Sequence, residues 1–114
     1  MYPGGSQSWN PNQRAFTSKF VTAMLKNNGT SRFAIKGANA QSGGLYTLWD
    51  GNLPGGYSPM KKQGAIILGS GGDCCANNTN LSAGTFYEGA IVAGYPSDAT
   101  ENAVQADVTA AGYR

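Results

Sequence analysis

The chain has 114 residues, 17 of them Gly and none His, with 8 basic and 6 acidic side chains for a formal net charge of +2. The missing His excludes Ser-His-Asp and Cys-His nucleophiles and every zinc site that uses imidazole, and the two Cys cannot complete a zinc site by themselves. Basic neighbours occur only at Lys61-Lys62, which is no footprint for nucleic acid, and the longest apolar runs are four residues each, far short of the ~20 a membrane helix needs.

Charged residues are 12% of the chain against about 25% on average, while 10 Asn, 9 Ser, 8 Thr and 5 Gln supply the polarity. Such surfaces suit secreted proteins that handle neutral ligands. A domain this long buries roughly two-thirds of its unfolded surface, enough for one core without disulfide staples, and no repeat or linker divides residues 1–114. The opening Met1-Tyr2-Pro3-Gly4-Gly5 has neither a basic nor an apolar leader region. A secretory leader is therefore expected to have been removed, or the start to be internal to something longer.

In chain order, residues 3–13 hold Pro, Gly, Asn and Ser and read as an irregular arm. Phe16 to Lys26 is the first expected strand, closed by the turn signal Asn27-Asn28-Gly29. Ser31 to Ala38 alternates Arg32, Ala34 and Lys36 with Phe33, Ile35 and Gly37, the period of a half-buried strand, so Asn28-Gly29 joins a hairpin. Leu45 to Trp49 is a short strand before Asp50-Gly51, and Asn52 to Pro59 is loop. Ala65 to Leu68 reads as a strand buried on both faces, and Thr85 to Ala93 as a fifth strand. The period then changes. Asp98 with Glu101 three residues on resembles a capping box, Val104 and Val108 share a helical face, and Gly112 stands where a C-cap belongs, predicting a helix from Asp98 to Ala111. Strands with long loops and one helix point to an all-β antiparallel sandwich or barrel.

Gly69-Ser70-Gly71-Gly72-Asp73-Cys74-Cys75 follows the buried strand directly. Its glycines let backbone approach a ligand closely, which makes Asp73 the first candidate for chemistry; the competing role is an Asx-turn, the fate of most Gly-flanked Asp. Glu88 is the second carboxylate, set mid-strand where a charge must be paired or face solvent. Asp50, Asp98, Glu101 and Asp107 have ordinary roles in turns, caps and an exposed helix face. For Cys74-Cys75 three states stand open: a strained vicinal disulfide, two free thiols, or pairing with Cys elsewhere in a longer chain. Adjacent Cα atoms lie ~3.8 Å apart, below the ~4.4–6.8 Å of ordinary disulfides.

Aromatic residues are 11% of the chain, and several, including Trp9, Trp49 and Tyr57, stand beside loops. Rings packing on sugar C–H faces, with Asn amides for hydroxyls, fit carbohydrate contact, although most aromatics belong to the core. Asn28-Gly29-Thr30, Asn77-Asn78-Thr79 and Asn80-Leu81-Ser82 match the N-glycosylation pattern, in a composition that generates such triplets by chance.

Six collinear blocks carry a family resemblance: Lys19 to Lys26, Phe33 to Gly37, Gly56 to Gly69, Gly71-Gly72-Asp73, Gly84 to Gly89, and Gly94 to Asn102. From about Phe16 to Tyr113 the chain resembles the C-terminal third of the catalytic domain of family 54 α-L-arabinofuranosidases. The resemblance implies a partial concanavalin-like β-sandwich with one C-terminal helix, acting on terminal arabinofuranose of arabinan or arabinoxylan with retention of configuration. It implies secretion and no cofactor or metal. It places the general acid/base on Asp73 and lines the sugar site with Gly72. The nucleophile, a Glu before a stretch that Met1-Tyr2-Pro3-Gly4 resembles, is expected immediately ahead of Met1, so the chain alone is expected to be inactive. The loop after Asp73 is longer than in the fungal members, and no family role passes to Cys74 and Cys75. Two rival readings are a lectin-like module that binds arabinose-containing glycan without turnover, and a structural protein that self-associates through open sheet edges.

Overall fold

The computed structural model describes residues 10–53 and 84–114, which divide between two compact units: 10–53 with 94–114 in one, and 84–93 in the other. The first holds three strands, β1 (Val21–Asn27), β2 (Arg32–Asn39) and β3 (Tyr46–Asn52), and one helix, α1 (Asp98–Ala110). The strands form one antiparallel sheet in the order β1-β2-β3.

The β1–β2 hairpin turns where the sequence predicts. Gly29 has φ +80°, a conformation that favours Gly, and the Asn28 side-chain oxygen accepts the backbone N–H groups of Thr30, Ser31 and Arg32 at 2.8–3.0 Å. The register pairs Lys26 with Ala34, Leu25 with Ile35 and Met24 with Lys36. Directly paired residues share a face, so Met24, Lys26, Ala34 and Lys36 point one way, and Leu25 and Ile35 the other.

β2 is central, and Phe33, Ala34 and Ala38 are buried. The predicted half-burial of this strand is therefore exceeded. On one face it receives α1, and on the other Phe16 packs so closely that a Cβ at Gly37 would stand 2.7 Å from the Phe16 ring. β1 starts at Val21, five residues after the predicted start, because 18–20 bend before Phe20 accepts the Ala40 N–H. β3 runs on through Asp50-Gly51, which the sequence reading takes as the end of the strand. Pairing of Phe33 with Gly51 and an ion pair from Arg32 to Asp50 at 2.6 Å carry the ladder to Asn52, and a bulge at Ile35/Lys36 shifts its register.

Helix α1 begins at Asp98, as the sequence predicts, but its cap is the residue before the expected capping box. Ser97 is the N-cap, its hydroxyl accepting from the Thr100 N–H at 3.2 Å. Glu101 does not fold back to cap; its carboxylate is drawn to two sheet lysines, which offer charge-assisted bonds in place of one backbone N–H. Gly112, at φ +73°, ends the helix as expected. Val104 is 48% exposed, and the buried helix residues are Glu101 and Gln105. Lys26 and Lys36 meet the first turn, Gln105 donates to the carbonyls of Asn39 and Gly43, and the Tyr113 ring lies 5.3 Å from that of Phe20. α1 thus runs antiparallel to β1.

Of the five expected strands, Ala65 to Leu68 lies outside the described residues. Residues 85–93 form no strand among the described residues and are exposed, Ile91 and Val92 included. Alternation marks two faces of an extended segment and does not by itself make a ladder. Antiparallel pairing with a single C-terminal helix holds as the fold class.

Candidate functional site

Two places in the first unit concentrate chemistry. One is a charge cluster between the sheet and α1. Lys26 and Lys36 are diagonal neighbours on adjacent strands, the pairing that brings long side chains together, and both are about nine-tenths buried. Each ammonium group donates to Glu101 and to Asp98: Lys26 at 3.0 and 3.1 Å, Lys36 to Asp98 at 2.8 Å and to Glu101 closer still. Lys26 also donates to the Pro96 carbonyl and stands 4.6 Å from the centre of the Tyr95 ring. Two cations therefore meet two anions, and the charge balances.

Burial pulls both lysines down, and the hydrogen bonds to Glu101 and Asp98 outweigh it, so each ammonium stands above the ordinary lysine value. The bonds from Lys36 and then Lys26 hold the Asp98 carboxyl at about 2. A lysine needs a depressed pKa to act as a base. These shifts run the other way, and the cluster serves as a clamp between helix and sheet. The sequence reading gives Asp98 and Glu101 ordinary roles at a cap and an exposed face. That is corrected for Glu101, which is 4% exposed. The signal was present in the two lysines, spaced for one sheet face, but its partner lies 65 residues away from Lys36.

The other place is a cleft of about 470 Å³ on the opposite face, lined by Asn10, Gln13, Arg14, Ile35, Leu48 and Trp49. The Asn10 amide donates to the Leu48 carbonyl, which ties the arm to β3. Arg14 stacks between Tyr46 and Phe16, 4.3 and 5.1 Å from the ring centres. Trp49, 39% exposed, is among the residues that line this cleft.

Asp73, Gly72, Cys74 and Cys75 lie outside the described residues, as do Trp9 and Tyr57. Glu88 is in the second unit, in an exposed segment without helix or strand. Asp50 is held by Arg32, and Asp107 is exposed on α1. Among the described residues no three His, Cys, Asp or Glu side chains converge as metal ligands, and no helix is long and apolar enough to cross a membrane.

Comparison with known proteins adds what the described residues do not hold. Residues 1–114 match the family described as α-L-arabinofuranosidase B, catalytic. A probable α-L-arabinofuranosidase B of Aspergillus clavatus is 52% identical over 115 residues, spanning 99% of this chain and 22% of the relative. The α-L-arabinofuranosidase B of Aspergillus oryzae is 50% identical with the same coverage. The chain spans about a fifth of the length of these curated relatives. Among solved structures, an arabinofuranosidase complexed with arabinofuranosyl-α-1,2-xylobiose is similar with a TM-score of 0.70 and 51% identity, over 88% of this chain and 20% of that one. A Glu-to-Gln mutant of a GH54 α-L-arabinofuranosidase soaked with 4-nitrophenyl α-L-arabinofuranoside gives 0.71 and 50%, over 89% and 20%.

Proposed function

Because the chain belongs to the α-L-arabinofuranosidase B catalytic family, we propose that it supplies the acid/base side of a retaining arabinofuranosidase site. Asp73 is the general acid/base and Gly72 part of the wall against the sugar. The observation that carries this reading is the match over all of residues 1–114, which includes the Gly71-Gly72-Asp73 motif. The ligand of the similar solved structure, an arabinofuranosyl xylobiose, supports arabinoxylan as substrate. Arabinan and a role in hemicellulose breakdown follow from the same class of linkage. The low charge and high amide content support a secreted protein.

In the first step Asp73, protonated, gives its proton to the glycosidic oxygen while a second carboxylate attacks the anomeric carbon. In the second step Asp73 takes a proton from the water that releases arabinose. Retention needs the two carboxyl groups about 5–5.5 Å apart. Of the chain's other carboxylates, Asp50 is paired with Arg32, and Asp98 and Glu101 serve the lysine clamp. Asp107 projects from the exposed side of α1. Glu88, in an exposed segment of the second unit, is the remaining carboxylate of this chain, and the family resemblance assigns it no role: by that resemblance the nucleophile belongs to the part of the family fold that this fifth does not span.

Asp73→Asn in the longer protein tests the assignment. Hydrolysis of arabinan should slow by orders of magnitude, and an aryl arabinofuranoside with a good leaving group should suffer less in the first step. Equal activity of mutant and parent on both substrates overturns it. The 114-residue chain alone is expected to leave both substrates intact; turnover by it that Asp73→Asn abolishes would make Glu88 the nucleophile to test next.

A further inference from the structure

We propose that Asn28, at the tip of the β1–β2 hairpin, is an N-glycosylation site; the proposal rests on the reading of this protein as secreted. Three triplets in the sequence carry the acceptor pattern, and chance alone generates such triplets. One of them falls among the described residues. Asn28, Thr30 and Ser31 are all exposed, in a two-strand turn that projects beyond the last ladder pair, Asn27 with Phe33. The triplets beginning at Asn77 and Asn80 lie outside the described residues.

The turn also tolerates the product. Three of its backbone N–H groups, those of Thr30, Ser31 and Arg32, donate to the Asn28 side-chain oxygen, with the Thr30 hydroxyl 3.3 Å away. The side-chain nitrogen carries two hydrogens and makes one hydrogen bond among the described residues, to the Ser31 hydroxyl at 3.2 Å. Glycosylation replaces one of those hydrogens. The other keeps the Ser31 contact, and every bond to the oxygen survives. Gly29, with no side chain, leaves room between acceptor and hydroxyl residue. A sugar on Asn28 therefore extends into solvent from a turn that stays closed, as the bulky, solubilising character of such glycans requires.

The donor is a lipid pyrophosphate-linked oligosaccharide, supplied by the secretory compartment. The Asn28 Nδ2 attacks the anomeric carbon, a C–N bond forms, the C–O bond to the pyrophosphate breaks, and the lipid pyrophosphate leaves with the electron pair. The amide proton goes to a base of the transferase, and nothing is oxidised or reduced.

The test translates the full 114-residue chain behind a cleavable secretory leader in the presence of microsomes, followed by peptide mass mapping. Supplying the leader keeps failure of this proposal distinct from failure of the secretion reading. The expected result is an N-acetylhexosamine-bearing peptide containing Asn28, with loss of one glycan step in Thr30→Ala and its retention in Thr30→Ser. The readout needs no folding of either variant, because the mass of the Asn28 peptide from the unaltered chain decides it. An unmodified Asn28 overturns the proposal, whether or not Asn77 or Asn80 carries sugar.

Discussion

The two faces of the sheet are built on opposite physics. Toward α1 the sheet presents Lys26 and Lys36 beside the small Ala34, and the helix answers with Glu101 and Gln105, so the long buried side chains at that contact are polar. The other face carries Val21, Leu25, Ile35 and Trp49, and Val21 and Leu25 remain 47% and 52% exposed. One contact is held by directional bonds that accept a single arrangement. The other offers non-directional apolar surface, of the kind a second sheet covers in a sandwich. The comparison teaches that the helix is docked by charge geometry more than by apolar area, since its apolar Val104 faces outward.

The strongest way to break the contrast is Glu101→Ala. It leaves two buried ammonium groups sharing one carboxylate, Asp98, which is 70% exposed, and loss of one partner from a buried pair typically costs about 3–5 kcal/mol. Urea unfolding of the parent and variant measures it. The triple change Lys26→Met, Lys36→Met and Glu101→Leu should recover most of that loss, since apolar replacement of a whole buried cluster is often neutral or better. A triple variant as unstable as Glu101→Ala would show that the clamp does more than avoid stranded charge.

Gln105→Ala comes next. It strands the carbonyls of Asn39 and Gly43 and opens a gap at a residue only 1% exposed, for a loss of about 1–3 kcal/mol. A thermal melt that does not move would remove Gln105 from the account of how α1 is held.

A pH series sharpens the same clamp. Asp98 titrates at about 2 in the folded chain and near ~3.9 when unfolded, so its contribution is present above about pH 4 and fades as pH falls toward 2. Solvent exposure keeps it small. In Asp98→Asn that part of the acid dependence should be missing, and the melting curves of parent and variant should converge near pH 2. The lysines act at the other end: their raised values keep their contribution whole below about pH 10.5, to be lost above it.

The smallest effect belongs to the apolar face. Leu25→Thr should change folding stability by no more than about 0.5 kcal/mol, as at other exposed positions, while lowering any self-association through this face. Sedimentation of the two proteins reads the second effect, and a large loss of stability would mean that Leu25 is buried in solution.

Local chemistry was legible in the residues. Asn28-Gly29 can only turn so tightly because Gly accepts positive φ and Asn caps its own backbone. The period of two from Arg32 to Lys36 sets one register, and Gly112 stops the helix for the same reason that Gly29 turns the hairpin. The family resemblance, carried by blocks such as Gly71-Gly72-Asp73, was equally legible, because it needs residue types in order and no contacts. Tertiary structure alone decided how far each strand runs and which side of α1 faces inward. β3 continues through Asp50-Gly51 because Arg32 and Phe33 stand opposite, residues distant in sequence that no local window includes. Glu101 read as a cap because three-residue spacing from Asp98 is all that a local pattern can report. It became the anchor of the helix because folding brings Lys26 and Lys36 beneath it, and a charge taken out of water must find its partner wherever the chain places one.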